Sequence, residues 1–116
     1  MRSPTPARTL AAHLPEVAPG DEVTLMGHVH RRRELAKVAF LIIRDRTGLA
    51  QVVLRPEEVP AGGLPPEETV VRVSGVASAN AQAPGGREVA APEIELLSEP
   101  ARPPIVELWR PSLDAA

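Results

Sequence analysis

The chain has 116 residues, of which 43% are hydrophobic and 2% are aromatic, and its net charge is −2. This length allows one domain with a modest core, and that core must be aliphatic because Phe40 and Trp109 are the only aromatic residues. The absence of cysteine excludes disulfides and thiolate metal sites, and the three histidines lack metal-ligand spacing. No apolar run approaches the ~20 residues of a membrane helix, and no signal peptide is evident, so we expect a cytoplasmic protein.

The charge is unevenly distributed along the chain. Residues 28–46 carry six basic and two acidic side chains, whereas residues 55–116 carry five basic and ten acidic ones. A basic segment inside an acidic chain is a candidate site for phosphate groups, because an approaching ligand meets the local field before the net charge. The alternative is a solvated surface whose charges only favour solubility.

Three strands are predicted in the first half of the chain. Residues 1–19 form an N-terminal segment with a short helix from Thr9 to about Leu14. Apolar residues then alternate with polar ones from about residue 22, which predicts a strand with one buried face. The segments KVAFLIIRD and LAQVVL follow as a hairpin, because only the short turn RTG separates them.

Two further strands are predicted in the second half. The proline-rich segment 55–68 cannot form a long helix, so we expect a loop with one helical turn. TVVRVSGVAS and REVAAPEIELLS are the fourth and fifth strands, and the fifth is interrupted near Pro92, with Ile94 and Leu96 pointing inward. Residues 100–116 read as an extended hinge.

Five short strands without long helices predict an all-β fold. The expected architecture is a five-stranded antiparallel OB-fold Greek-key barrel over residues 20–99, with a short N-terminal helix and an extended C-terminal hinge.

Phe40 is the first candidate for a binding residue. Strand alternation places Ala39, Leu41 and Ile43 on one face and Phe40 and Arg44 on the other. An unpaired arginine is rarely buried, so Arg44 and with it Phe40 should point outward, where Phe40 can stack on a base. A β-bulge that turned Phe40 into the core is the alternative.

Other candidates have side chains that suit nucleic acid. Gln51 faces outward beside Phe40 and can both donate and accept hydrogen bonds. Arg31 and Arg33 share one face of the first strand and suit phosphate contacts. Glu93 and Glu95 form a carboxylate pair, but no pocket motif or nucleophile accompanies them, so we predict no catalytic residue and no metal site in this chain.

The segments GHVHRRREL, VAFLIIRDRTGLAQVV, VRVSGVASANAQAPGGREV and PEIELLSEPARPPIVE together resemble the N-terminal anticodon-binding domain of aspartyl-tRNA synthetase, in its archaeal-type and related bacterial form. The similarity runs over about residues 20–108. His28 departs from the family pattern, which usually has tryptophan there. The resemblance implies an OB-fold that binds the anticodon of aspartate tRNA, with asparagine tRNA left open because strict or relaxed reading depends on residues around His30 and the NAQAPGG loop.

The resemblance also implies roles for individual residues. Phe40 stacks on an anticodon base, Gln51 and Glu95 contact base edges, Arg31 and Arg33 contact the anticodon loop, and Asn80 falls in a loop that also approaches the anticodon. Apart from the resemblance, Arg44 points outward beside these residues and is a further candidate for holding the RNA backbone. The catalytic domain of the family would follow the hinge and is absent from this chain, so we expect no aminoacylation by it. ATP and Mg²⁺ would belong to that domain, and dimerisation is expected only where it is present.

Two other functions fit the same features. A free-standing single-strand binder would use Phe40 and the arginines without tRNA specificity. A protein-interaction module would use the barrel as a scaffold and dock its hydrophobic segment 105–109 on a partner.

Overall fold

The computed structural model describes residues 8–98. These residues form a 3₁₀ helix, Ala11–Glu16, and five strands, β1 (Glu22–Glu34), β2 (Ala39–Asp45), β3 (Gly48–Leu54), β4 (Val70–Ala79) and β5 (Arg87–Leu96). Short 3₁₀ turns lie at Pro56–Glu58 in the β3–β4 loop and at Pro84–Gly86 in the β4–β5 loop. The predicted hinge and its segment 105–109 lie outside the described residues.

The five strands close into a barrel in the order β1-β2-β3-β5-β4, with β4 paired back to β1. Neighbouring strands are antiparallel except β3 and β5, which meet in parallel at Val52 and Val89. This is the strand order of an OB-fold, so the predicted barrel is confirmed.

The core is aliphatic, as the composition predicted. Along β2 and β3 every second residue is buried, with exposures of 0–2% for Ala39, Leu41, Ile43, Ala50 and Val52. The N-terminal helix contributes buried Ala11 and Leu14 and is bonded to the β2–β3 turn through its first amides, so it covers that end of the barrel.

The predicted interruption of the fifth strand is a β-bulge. Ala91 and Pro92 together stand opposite Gly75 of β4, and Ala91 has a φ of 51°. Gly75 is needed there because a Cβ atom would lie 2.5 Å from the carbonyl oxygen of Ala90. The prediction that Leu96 points inward is wrong: its side chain is 49% exposed, because β5 ends there and nothing covers it among the described residues.

Asp45 joins the barrel to the N-terminal helix. One carboxylate oxygen accepts the amide of Ala11 at 2.8 Å, and the other accepts the amide and hydroxyl of Thr47 at 2.8 and 2.6 Å. Burial by itself would raise the pKa of Asp45, but these hydrogen bonds and the nearby Arg8 hold that pKa below its ordinary value.

We expect Gly75→Ala to lower the free energy of unfolding by about 1–3 kcal/mol, because the new methyl group must displace backbone. Gly62→Ala is the matched control, since nothing lies within 4 Å of a Cβ atom at Gly62. Urea denaturation measures both, and equal stability of the two variants would contradict the close approach at the bulge.

We expect Asp45→Asn to lower the free energy of unfolding at neutral pH by about 1–3 kcal/mol. Because folding lowers the pKa of Asp45, its contribution is complete above the unfolded value of 3.8 and is lost as the pH falls through the lower folded value. The difference between the two proteins should therefore shrink in acid. Urea denaturation across this pH range tests it, with the exposed Asp21→Asn as control; a difference that stays constant would contradict the assignment.

Candidate nucleic-acid interface

Phe40 lies on the outer face of the sheet formed by β1, β2 and β3. Its neighbour Leu41 is fully buried, whereas Phe40 itself is partly exposed. Phe40 pairs directly with Arg33 of β1 on one side and with Val53 of β3 on the other. The β-bulge nearby falls in β1, between Val29 and Arg31, and leaves the register of β2 unchanged. The outward orientation that strand alternation predicted for Phe40 is confirmed.

A second row of side chains crosses the same face. Ile42 pairs with Arg31 of β1 and with Gln51 of β3, two residues along from Phe40. Arg31 is exposed and Gln51 partly so. The two rows together place a flat aromatic surface, two guanidinium groups and an amide within adjacent positions of one sheet face.

A buried carboxylate holds the amide of Gln51. Glu88, at the start of β5, is 7% exposed, and one of its oxygens accepts the amide nitrogens of Gln51 at 2.9 Å and Asn80 at 3.1 Å. The amide oxygen of Asn80 in turn accepts the backbone N–H of Gln82 at 3.0 Å. Glu88 therefore fixes Gln51 and joins it to the β4–β5 loop.

These elements enclose a groove of about 530 Å³ between the β1–β2 loop and the β4–β5 loop. It is lined by Arg31, Arg32, Arg33, Leu35, Val38, Phe40, Ile42, Gln51, Asn80 and Gln82. In an OB-fold this face and these two loops are where oligonucleotides bind. The lining combines an aromatic platform with arginines and amides, which is the composition expected of a single-strand binding site.

The structure brings five of the sequence-predicted site residues to this groove, namely Arg31, Arg33, Phe40, Gln51 and Asn80. Glu95 is not among them. It lies on the β4–β5 face, where it bonds to Arg72 at 2.5 Å and borders a separate depression of about 640 Å³ with Glu22 and Glu93.

Arg44 also lies outside the groove, at the far end of the same sheet face. Its guanidinium donates to both oxygens of Glu68, at 2.9 and 3.2 Å, and approaches Nδ1 of His30 at 3.3 Å. The hydrogen bonds between the two side chains raise the pKa of Arg44 and lower the pKa of Glu68. Arg44 is therefore already paired with a carboxylate.

Sequence reasoning missed the roles of Glu88, Leu35 and Val38. Leu35 and Val38 flank the β1–β2 turn and line the groove. The sequence contained one indication of this, because these two apolar residues lie next to the basic run Arg31–Arg33. Glu88 gave no such signal, because its partner Gln51 is 37 residues away.

Within residues 8–98, no cluster of histidines and carboxylates is arranged to hold a metal ion. The same part of the chain contains no helix long and apolar enough to cross a membrane.

Comparison with known proteins gives consistent matches. Residues 23–97 match a tRNA anticodon family described as an OB-fold nucleic acid binding domain. The aspartate–tRNA(Asp/Asn) ligase of Thermus thermophilus is 43% identical over 113 residues, covering 92% of this chain and 24% of the relative. The corresponding ligase of Methanopyrus kandleri is 42% identical over 96 residues, covering 76% of this chain and 22% of the relative. The chain thus spans about a quarter of the length of these relatives.

Solved structures agree. Asparaginyl-tRNA synthetase from Pyrococcus horikoshii superposes with a TM-score of 0.73 at 30% identity, covering 85% of this chain and 25% of that one. The OBody AM3L15, bound to hen egg-white lysozyme, superposes with a TM-score of 0.69 at 26% identity and is covered over 97% of its length. That match covers 86% of this chain.

Proposed function

The chain belongs to the tRNA anticodon-binding family of OB-fold nucleic-acid-binding domains, and we propose on that basis that it binds the anticodon loop of aspartate tRNA and of asparagine tRNA. The observation that carries the proposal is the groove itself, in which Phe40 pairs with Arg33 of β1 and lies one row from Gln51 of β3. The relatives named above are ligases for tRNA(Asp/Asn), which supports reading of both anticodons.

Phe40 provides the stacking surface for one anticodon base. Its ring is flanked by aliphatic Ile42 and Val38 in the groove lining, so a base that stacks on it covers a continuous apolar surface. Arg31 and Arg33 are exposed at the edge of the groove and would contact the phosphates on either side of that base.

Gln51 supplies a hydrogen-bond acceptor for a base edge. Because Glu88 takes the amide nitrogen of Gln51, the amide oxygen is the group that remains for a ligand. An acceptor suits a base with an imino N–H, which uracil and guanine have, whereas cytosine and adenine present an acceptor at that position. The anticodons GUC and GUU both begin with guanine followed by uracil, so the groove chemistry fits the two equally.

We assign to Glu88 the carboxylate of the groove, as a residue that positions amides, which differs from the base contact that the resemblance implies for Glu95. Glu88 contacts the amides of Gln51 and Asn80 in the groove, whereas Glu95 is paired with Arg72 on another face. Glu88 acts as a positioning residue, since its carboxylate orients Gln51 and Asn80 towards the RNA.

The first prediction about RNA binding concerns stacking of a base on Phe40. We expect the chain to bind a GUC stem-loop and a GUU stem-loop with similar Kd, and Phe40→Ala to weaken both by about 1–3 kcal/mol, roughly 5- to 150-fold. Fluorescence anisotropy at one fixed salt concentration measures this, with Leu96→Ala as the control because that exposed side chain lies outside the groove. Equal binding of an unrelated loop, weakened alike by Phe40→Ala, would leave only a generic single-strand binder, and binding unchanged by Phe40→Ala would contradict the stacking role.

The second prediction concerns base selection. In the loops GCC and AUC, one base with an imino N–H is replaced by a base that has an acceptor there. At the position that Gln51 contacts, we expect this replacement to weaken binding relative to GUC by about 1–3 kcal/mol. Glu88→Gln should reduce this preference, because an amide at residue 88 no longer dictates which end of the Gln51 amide faces the groove. Glu95→Gln is the matched control. Preferences that survive Glu88→Gln, or that Glu95→Gln removes, would overturn the assignment.

A further inference from the structure

The pairing of Arg44 with Glu68 resembles the pairing of an arginine with a phosphate. Both oxygens of the Glu68 carboxylate accept from the two terminal nitrogens of Arg44, at 2.9 and 3.2 Å. A guanidinium binds phosphate through the same two-pronged geometry. In the free protein the carboxylate thus occupies the donors that a phosphate would use.

Arg44 is placed where RNA bound in the groove would extend. It lies on the outer face of β2, four residues from Phe40, which corresponds to about 13 Å at the usual strand rise. An adjoining depression of about 330 Å³ carries further positive charge from Arg8 and Arg46, with His28 beside them. The carboxylate of Asp45, which also borders it, accepts hydrogen bonds from the N-terminal helix and from Thr47 and lies 4.0 Å from the guanidinium of Arg8, which donates to the carbonyl of Met26. We call this surface, made of Arg8, His28, Arg44 and Arg46, the basic patch.

Glu68 is held at the edge of the basic patch by its backbone. Its φ of 68° lies in the left-handed region, which glycine or asparagine adopts more readily than glutamate. The amide of Glu68 donates to the carbonyl of Val29 at 2.7 Å, and the amide of Val29 donates to Thr69 at 2.9 Å, so the β-sheet fixes this turn. A rigid backbone presents the carboxylate to Arg44.

The contact is nevertheless easy to exchange. The side chains of Arg44 and Glu68 are 38% and 55% exposed. Ion pairs this exposed are screened by water and salt and contribute little to stability, so a phosphate can replace the carboxylate without disturbing the core.

We propose that the basic patch is a second phosphate-contact site for RNA, separate from the groove but reached along the same strand β2, and that Glu68 occupies Arg44 until an RNA phosphate displaces it. This inference rests on the proposed function in that it needs RNA to lie in the groove, but it concerns phosphates and not bases. Glu68 therefore lowers the affinity for any strand long enough to reach Arg44, and it leaves the base preference of the groove unchanged.

The test compares Glu68→Gln with the wild type in binding to the GUC stem-loop and to an unrelated loop. We expect the substitution to tighten binding of both by about two- to fivefold at about 0.05 M salt. The slope of log K against log salt should become steeper by up to about 0.7, the value for one additional phosphate contact on a single strand. Glu57→Gln is the matched control, because Glu57 is exposed and pairs with Arg55 at the other end of the β3–β4 loop.

A double-mutant cycle assigns the gain to Arg44. In the Arg44→Gln background, Glu68→Gln should produce no gain, because the group that it releases is missing. A gain that persists without Arg44, or that Glu57→Gln reproduces, would show a general charge effect and overturn the proposal. Glu68→Gly is a second variant for the case that Glu68→Gln disturbs the fold, because glycine readily adopts the positive φ at this position. It should unfold in urea like the wild type and tighten RNA binding as Glu68→Gln does.

The two proposals fail in different ways. Loss of anticodon preference and of the Phe40→Ala effect, with the gain from Glu68→Gln intact, would overturn the proposed function and leave the basic patch as a phosphate site. Intact preference with no gain from Glu68→Gln would overturn the basic patch alone. Absence of binding by wild type and Glu68→Gln alike would overturn both.

Discussion

The groove depends on the alternation of side chains along β2 and β3. Leu41 and Val52 are completely buried in the barrel, and each lies next to a residue that must then point outward, Phe40 and Gln51 respectively. Because aliphatic residues alone fill the core, the barrel does not need the single phenylalanine for packing. A shift of register by one residue would exchange the two faces and destroy both core and groove together.

Three carboxylates of the barrel differ in the donors that they bind and in their exposure to solvent. The carboxylates of Glu88, Glu68 and Asp45 each bind specific donors, but with different consequences. Asp45, whose side chain is covered, holds the N-terminal helix, and buried Glu88 orients amides in the groove. Glu68 is exposed, so its pair with Arg44 is exchangeable. Exposure thus separates the displaceable carboxylate of Glu68 from the other two, whose different roles follow from the donors that they bind.

Much of the fold could be predicted because its signals are local. A period of two along each strand, a short hairpin turn at residues 46–48 and proline in the long loop indicated five strands, and the structure contains them. The carboxylate of the site could not be found in this way. Glu88 meets Gln51 only because β3 and β5 come together in parallel when the barrel closes, and that contact joins distant parts of the chain. The prediction that Leu96 points inward failed for a related reason. Alternation indicates on which side of the strand a residue lies, but not whether another part of the protein covers that side, and Leu96 is exposed at the end of β5.

The sequence by itself determined the fold class, the family and the residues that face outward on the first three strands, because these follow from neighbours a few positions apart. Tertiary structure alone decided which outward residues share a groove. In the folded barrel Asn80 and Gln51 bind the same carboxylate of Glu88. Glu95 lies on another face, where it pairs with Arg72, and Glu68 pairs with Arg44. Each of these contacts joins separate strands or loops, and its energy depends on distances that exist only after the barrel has closed.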